Sequence, residues 1–273
     1  MDRGLRGDGG RRSHTSRWYR SRATVWGMTL VLLVFGTILI GSCMQRVSGM
    51  GVGLLGAPVL SLAMGPVEGV MVVNVIAAVN AALSTWTQRR DVDWRKFALI
   101  GSVMVVGAAP GAWLITVISP AVLQIIVGAL ILLALGVTTI GRRYIPAATG
   151  KAPALVAGVV GGFTNTLAGV AGPVITVYAQ ASRWDQRTFA ATLQPLFIVS
   201  GTLSFFIKWL SGAGDIGSEP WGIWPAALLA VILGITGGMW IAQRTDRATA
   251  HRLALILAAA GALTVLVRGV VSV

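Results

Sequence analysis

The chain has 273 residues, 55% hydrophobic and 11% charged, and its 22 Lys and Arg against 9 Asp and Glu give a net charge of +13. A soluble domain carries about 25% charged residues, and the mean hydropathy here is +0.77. These values exclude a soluble enzyme, a disulfide scaffold and a disordered regulator. The apolar runs do not alternate, which excludes a transmembrane β-barrel; the expected class is an all-α polytopic membrane protein.

In chain order, residues 1–22 hold seven arginines against Asp2 and Asp8. This reads as a basic disordered cytoplasmic tail over 1–23, held at the anionic membrane face rather than on nucleic acid. The run Val25–Met44 is 20 residues long, longer than the core of a signal peptide, so it reads as a retained first helix. Apolar segments then fall at about 25–64 (interrupted), 67–87, 97–118, 121–140, 152–181 (interrupted), 188–209, 221–243 and 253–267. With each interrupted segment counted once, about eight helices are expected. Polar loops separate them at Gln88–Lys96, Arg142–Lys151, Ser182–Arg187, Ser211–Pro220 and Arg244–Arg252. On that count the positive-inside rule puts both termini in the cytoplasm. Lys208, near the end of its helix, is expected to snorkel to the interface.

The two halves repeat, with a first transmembrane repeat over 24–145 and a second over 146–273. Leu55-Gly56-Ala57-Pro58-Val59 aligns with Val170-Ala171-Gly172-Pro173-Val174. Gly107–Gly111 aligns with Gly234–Gly238, and these small-residue faces suit close helix packing. The first pair differs in kind. Gly49, Gly51, Gly53, Gly56 and Pro58 crowd one stretch; Gly161, Gly162, Gly169, Gly172 and Pro173 crowd the other, with Thr164-Asn165-Thr166 between them. Glycine and proline loosen a helix, and freed backbone groups are tolerated in a membrane only inside protein or along a wet cavity. Matching breaks in two halves point to a transporter's central site.

Among the acids only Glu68 touches an apolar segment, so a carboxylate proton relay and a cationic substrate are both poorly served. No metal-ligand cluster or nucleotide motif is present in the sequence, and no metal or cofactor is expected. An anion fits better, held by helix N-termini and neutral donors. The candidate substrate-binding residues are Arg46, Ser48, Gly51, Gly53, Gly56, Pro58, Asn74, Asn80, Thr164, Asn165, Thr166, Gly169, Gly172, Pro173 and Gln194. Arg46 is of interest because a guanidinium grips two oxygens at once.

The Gly-rich segment ending in Pro58, the following helix, Gln88-Arg89-Arg90-Asp91-Val92-Asp93-Trp94-Arg95 and the Gly107–Gly111 helix together resemble the sulfite exporter TauE/SafE family, over about residues 36–268. The glycines are more spread than that family's usual triplet. The resemblance implies a bacterial inner-membrane permease for sulfite, thiosulfate or an organosulfonate. The partners expected are a small anionic substrate and the lipid bilayer, with no nucleic acid; a homo-oligomer is compatible. The alternatives are a non-transporting membrane scaffold and an intramembrane enzyme; the paired breaks count against the first, the missing catalytic geometry against the second.

Overall fold

The computed structural model describes residues 9–139, 147–217, 219–242 and 247–273 and, within them, not the side chains of 9–25, Ser48, Thr138, Ala242, 247–251, Leu253 and Ala254. Eleven helices follow one another among these residues: α1 Gly9–Ser48, α2 Val52–Met64, α3 Pro66–Gln88, α4 Trp94–Gly101, α5 Met104–Val117, α6 Pro120–Thr139, α7 Ala152–Ala168, α8 Gly172–Ala181, α9 Gln186–Leu210, α10 Ile223–Ala242 and α11 Arg247–Val271. Six stretches are long and apolar enough to cross a bilayer: Trp26–Val47, Pro66–Gln88, Trp94–Val117, Pro120–Val137, Gln186–Leu210 and Ile223–Ile241. The protein is an all-helical, multi-pass membrane protein.

Local chemistry sets most helix starts. Asp93 caps α4 by accepting the Lys96 N–H at 3.0 Å, and Asp185 caps α9 by accepting the Thr188 N–H at 3.0 Å. Pro66 and Pro153 sit in first turns, where a missing N–H costs nothing. α1 begins at Gly9, so it runs back through part of the segment expected to be a disordered tail. From Arg11 to Trp26 there is no Gly or Pro, and a helix nucleated in the apolar run extends cheaply through arginines. Residues 1–8 of that segment lie outside the described residues.

Helix directions follow from the close approaches at glycine. α10 runs parallel to α1: Gly27 lies by Pro220, Gly234 by Leu39 and Ser42, and Gly238 by Cys43 and Arg46. α5 runs parallel to α7, with Gly107 against Val159 and Phe163 and Gly111 against Thr166. α3 and α9 are antiparallel, with Gly201 at Asn74 and Gly214 at Val67. α6 and α11 are antiparallel, with Gly128 at Ala262 and Gly269 at Ala121. The small-xxx-small faces of α5 and α10 thus each pack on a helix from the opposite half of the chain.

The interrupted segments are not single crossings, as expected, but pairs of helices that reverse. Gly51 returns to Gly41 and Gly56 to Ile38, so α2 runs back along α1. The Ala148 N–H donates to the Ala181 carbonyl at 2.9 Å, so α8 ends beside the residues that lead into α7. α2 has 13 residues and α8 has 10, about 20 and 15 Å of helix, short of the ~30 Å hydrocarbon core.

The reversals move the loops. The ends of α3, α6, α8 and α10 gather at one end, where Arg187 pairs with Asp91 at 3.0 Å and the Lys96 ammonium lies 4.1 Å from the centre of the Trp184 ring. The start of the apolar part of α1, Gly65, the residues after α9 and the end of α11 gather at the other, the termini end; there Arg268 donates to the Leu62 carbonyl at 2.7 Å. The sequence count had put Gln88–Lys96 on the side of the N-terminus; the structure puts it on the opposite side, because α2 is a returning segment of its own.

The Pro58–Pro173 alignment is also corrected. Pro58 lies inside α2 and faces Gly261 of α11, whereas Pro173 is in the first turn of α8. The backbones correspond instead at Gly49 and Gly169. Both have positive φ, at 88° and 69°, and both donate their N–H to the carbonyl four residues back, Gln45 and Asn165, at 2.8 Å.

Gly107→Ala should destabilise the protein by about 1–3 kcal/mol, because its methyl would meet the Val159 carbonyl. Gly136→Ala, with nothing within 4 Å of its site, should be neutral or slightly stabilising. Melting of the two purified variants in detergent, followed by size-exclusion recovery, distinguishes them.

Candidate functional site

The two breaks, 49–51 and 169–171, meet inside the bundle. A Cβ on Gly53 would come within 2.6 Å of the Gly169 carbonyl oxygen, and one on Gly169 would lie 3.2 Å from the Ala57 methyl. Only glycine lets the first turn of α2 approach the other break this closely. A cavity of about 30 Å³ opens between the breaks. Gly51, Gly53 and Leu54 line it from the start of α2, and Ala171, Gly172 and Pro173 from the start of α8. Two helix N-termini therefore face one cavity. First-turn N–H groups have no partner within their own helix, and each N-terminus carries about half a positive charge.

Side-chain amides secure each break. The Gln45 Nε2 donates to Gln194 Oε1 at 3.0 Å, and Gln45 Oε1 accepts the Val52 N–H at 3.1 Å. Gln194 Nε2 donates to the Gly49 carbonyl at 3.3 Å. At the other break, Asn165 Nδ2 donates to Asn74 Oδ1 at 3.1 Å, and Asn74 Nδ2 donates to Ser204 Oγ at 2.7 Å. Gln45 and Asn165 end the helices before the breaks; Gln194 and Asn74 sit on α9 and α3. In both pairs the partners exchange halves. Among the described residues no ionisable side chain lines the cavity, so the polarity they give it comes from amides, the Ser200 hydroxyl and backbone dipoles.

The predicted residues separate into groups. Gly51, Gly53, Asn74, Asn165, Gly169, Gly172 and Pro173 line the cavity. Gln194 stands behind it through Gln45. Thr164 and Thr166 are buried but return their hydroxyls to the carbonyls of Gly161 and Gly162 in their own helix. Gly56 packs on Val73 and Ile38. Asn80 is fully buried with no hydrogen-bond partner for its amide, away from the cavity lining. Arg46 does not line the cavity; it is half-buried at the loop end, with Nη1 3.4 Å from Thr87 Oγ1. The Ser48 side chain lies outside the described residues.

Sequence reasoning missed Gln45, Met50, Phe197 and Ser200, which also line the cavity. Gln45 resembled an ordinary polar residue at a helix end; only the Gly49–Gly169 register places it opposite Asn165. Lys208 was expected at the interface and is instead fully buried, because the chain folds back over it: its carbonyl accepts from the Ala213 N–H and the Ser211 hydroxyl.

Gly53→Ala should separate the two breaks and remove anion binding, while Gly150→Ser, with nothing within 4 Å, should not. Isothermal titration of purified protein with sodium sulfite reads the difference; unchanged binding in Gly53→Ala would detach the close approach from the site.

Compared with known proteins, no curated protein and no solved structure matches the chain. The family profile described as sulfite exporter TauE/SafE matches residues 17–265. That match covers both breaks, both amide pairs and the whole cavity lining, and the chain belongs to the sulfite exporter TauE/SafE family of membrane transporters.

Proposed function

We propose that the protein is a secondary permease of the bacterial inner membrane, moving a small sulfur oxyanion through the cavity between the N-termini of α2 and α8. The observation that carries this reading is the convergence of two helix N-termini on a buried cavity that no carboxylate lines among the described residues. Together they offer about one unit of positive charge, which suits a sulfite, thiosulfate or sulfonate group. The N–H and amide donors supply directed hydrogen bonds without the desolvation cost of a buried ion pair. At about 30 Å³ the cavity has room for roughly two water-sized groups, so it must widen to take even sulfite, the smallest of the three.

The halves 24–145 and 146–273 are inverted repeats on this reading. α1 and α7, α3 and α9, α5 and α10, and α6 and α11 run in opposite senses, and the contacts α1–α10 and α5–α7 exchange between halves. Such repeats support alternating access by rocking around a fixed site. The Gln45–Gln194 and Asn165–Asn74 pairs are the natural latches, since each ties the helix before a break to a helix of the other half.

Orientation follows from charge. Among the described residues between 47 and 267, every Lys and Arg except Lys208 falls in a loop-end connection or in the first two turns of the helix after it. The positive-inside rule then places the loop end in the cytoplasm and both termini opposite. The N-terminal arginines oppose this as one block against four connections.

Asn165→Ala should slow sulfite flux into proteoliposomes about tenfold at normal protein level, the worth of a hydrogen bond to a charged ligand. Arg46→Ala should transport like the parent, since its guanidinium is at Thr87. Parental flux in Asn165→Ala together with loss in Arg46→Ala would move the site to Arg46. A C-terminal alkaline phosphatase fusion should be active in intact cells; an active cytoplasmic reporter there would reverse the orientation.

A further inference from the structure

Lys208 is the exception to the charge pattern. It lies on α9, two residues before that helix ends, near the termini end, and is 0% exposed. Its ammonium has no hydrogen-bond partner. Among the described residues the ion pairs are Lys96–Asp93 and Arg187–Asp91, so Lys208 is in none. The nearest acid is Glu68 in the first turn of α3, which attracts the ammonium from beyond pairing distance. Glu219, in the connection after α9, also interacts with Glu68. The chain after α9 covers the site, with Gly214 packed on Val67 and Met71 of α3.

A helical side chain leans toward the N-terminus of its helix. For Lys208 that direction is toward Ser204, one turn back on the same face. Ser204 accepts from Asn74, and Asn74 accepts from Asn165 in the cavity. A continuous chain of hydrogen bonds therefore runs from the central cavity to the turn that carries Lys208.

A buried ammonium outside any ion pair is unfavourable unless it loses its proton or gains an anion beside it. We propose that Lys208, with Ser204, forms a second station for the transported oxyanion, between the central cavity and the termini end. This rests on the permease reading above. The station exists on one side only: in the register that pairs Gly49 with Gly169, the residue matching Lys208 is Gln88, the last residue of α3. An anion moving toward the termini end thus passes from a site made of dipoles to one made of a full charge.

The chain contains three lysines, Lys96, Lys151 and Lys208. Full-length protein grown with ¹³Cε-lysine and placed in nanodiscs therefore gives three signals, assigned by K96R and K151R. Titration with sodium sulfite should shift the Lys208 signal saturably and leave the other two nearly still. K208M should melt no lower than the parent while its sulfite flux falls roughly tenfold or more, and K208R should recover part of it. A Lys208 signal that stays still at sulfite levels saturating parental flux overturns the station, and so does parental flux in K208M. If K208M does not fold, the titration of the parent decides alone. A parent that moves no sulfite, thiosulfate or sulfonate removes the permease reading, whereas a transporting parent with a silent Lys208 removes only this inference.

Discussion

The centre of this bundle is organised by the demand that backbone N–H groups be satisfied where no water reaches them. In a bilayer an interrupted helix is tolerated only when its free groups find partners inside the protein. Here both interruptions begin with a glycine at positive φ, which closes the preceding helix by a bond to the carbonyl four residues back. The next helix then starts with its N–H groups facing inward. One of them, on Val52, is taken by Gln45. The others define the cavity. The arrangement depends on Gly53 lying against the Gly169 carbonyl, because a bulkier residue would hold the two N-termini apart.

That contact also explains the glycines elsewhere. α5 must lie against α7, and α10 against α1, for the amides at the breaks to reach α3 and α9. Gly107, Gly111, Gly234 and Gly238 provide that closeness, and each packs on the helix that precedes a break in the other half. The packing motif and the site motif are therefore one system. The first sets the depth at which Gln45 and Asn165 sit, and the second uses it.

Much of this was legible in the sequence. Apolar runs marked the long helices, and glycine with proline marked the breaks, because both residues have strong local backbone effects. The reversals were not legible. α2 and α8 are shorter than a hydropathy-scale crossing, and a short apolar helix continues an apolar run without a sign of direction. The register was misread by five residues because matching prolines drew the alignment, although Pro58 packs on α11 and Pro173 opens α8. Asn74 and Asn165, named for their donor chemistry, line the cavity. Arg46 and Thr164 were named on the same chemistry and do not line the cavity. Side-chain type states what a residue can donate; helix phase decides where it donates.

The reversals matter beyond topology. Had each interrupted segment been one kinked crossing, each half would contain an even number of passes and the halves would be parallel. With α2 and α8 returning, each half has an odd number of helical segments across the bundle, counting α4 and α5 as one, and the second half enters from the side opposite the first. On the permease reading, an inverted pair gives the cavity one approach from each side, with Asn165, Asn74 and Ser204 bonded on one and Gln45 and Gln194 on the other. Equal approaches alone would favour neither direction. The sequence breaks that balance with charge, since the buried Lys208 and the neutral Gln88 stand at matching positions, so an anion on that reading would meet unlike electrostatic ground on its two ways out.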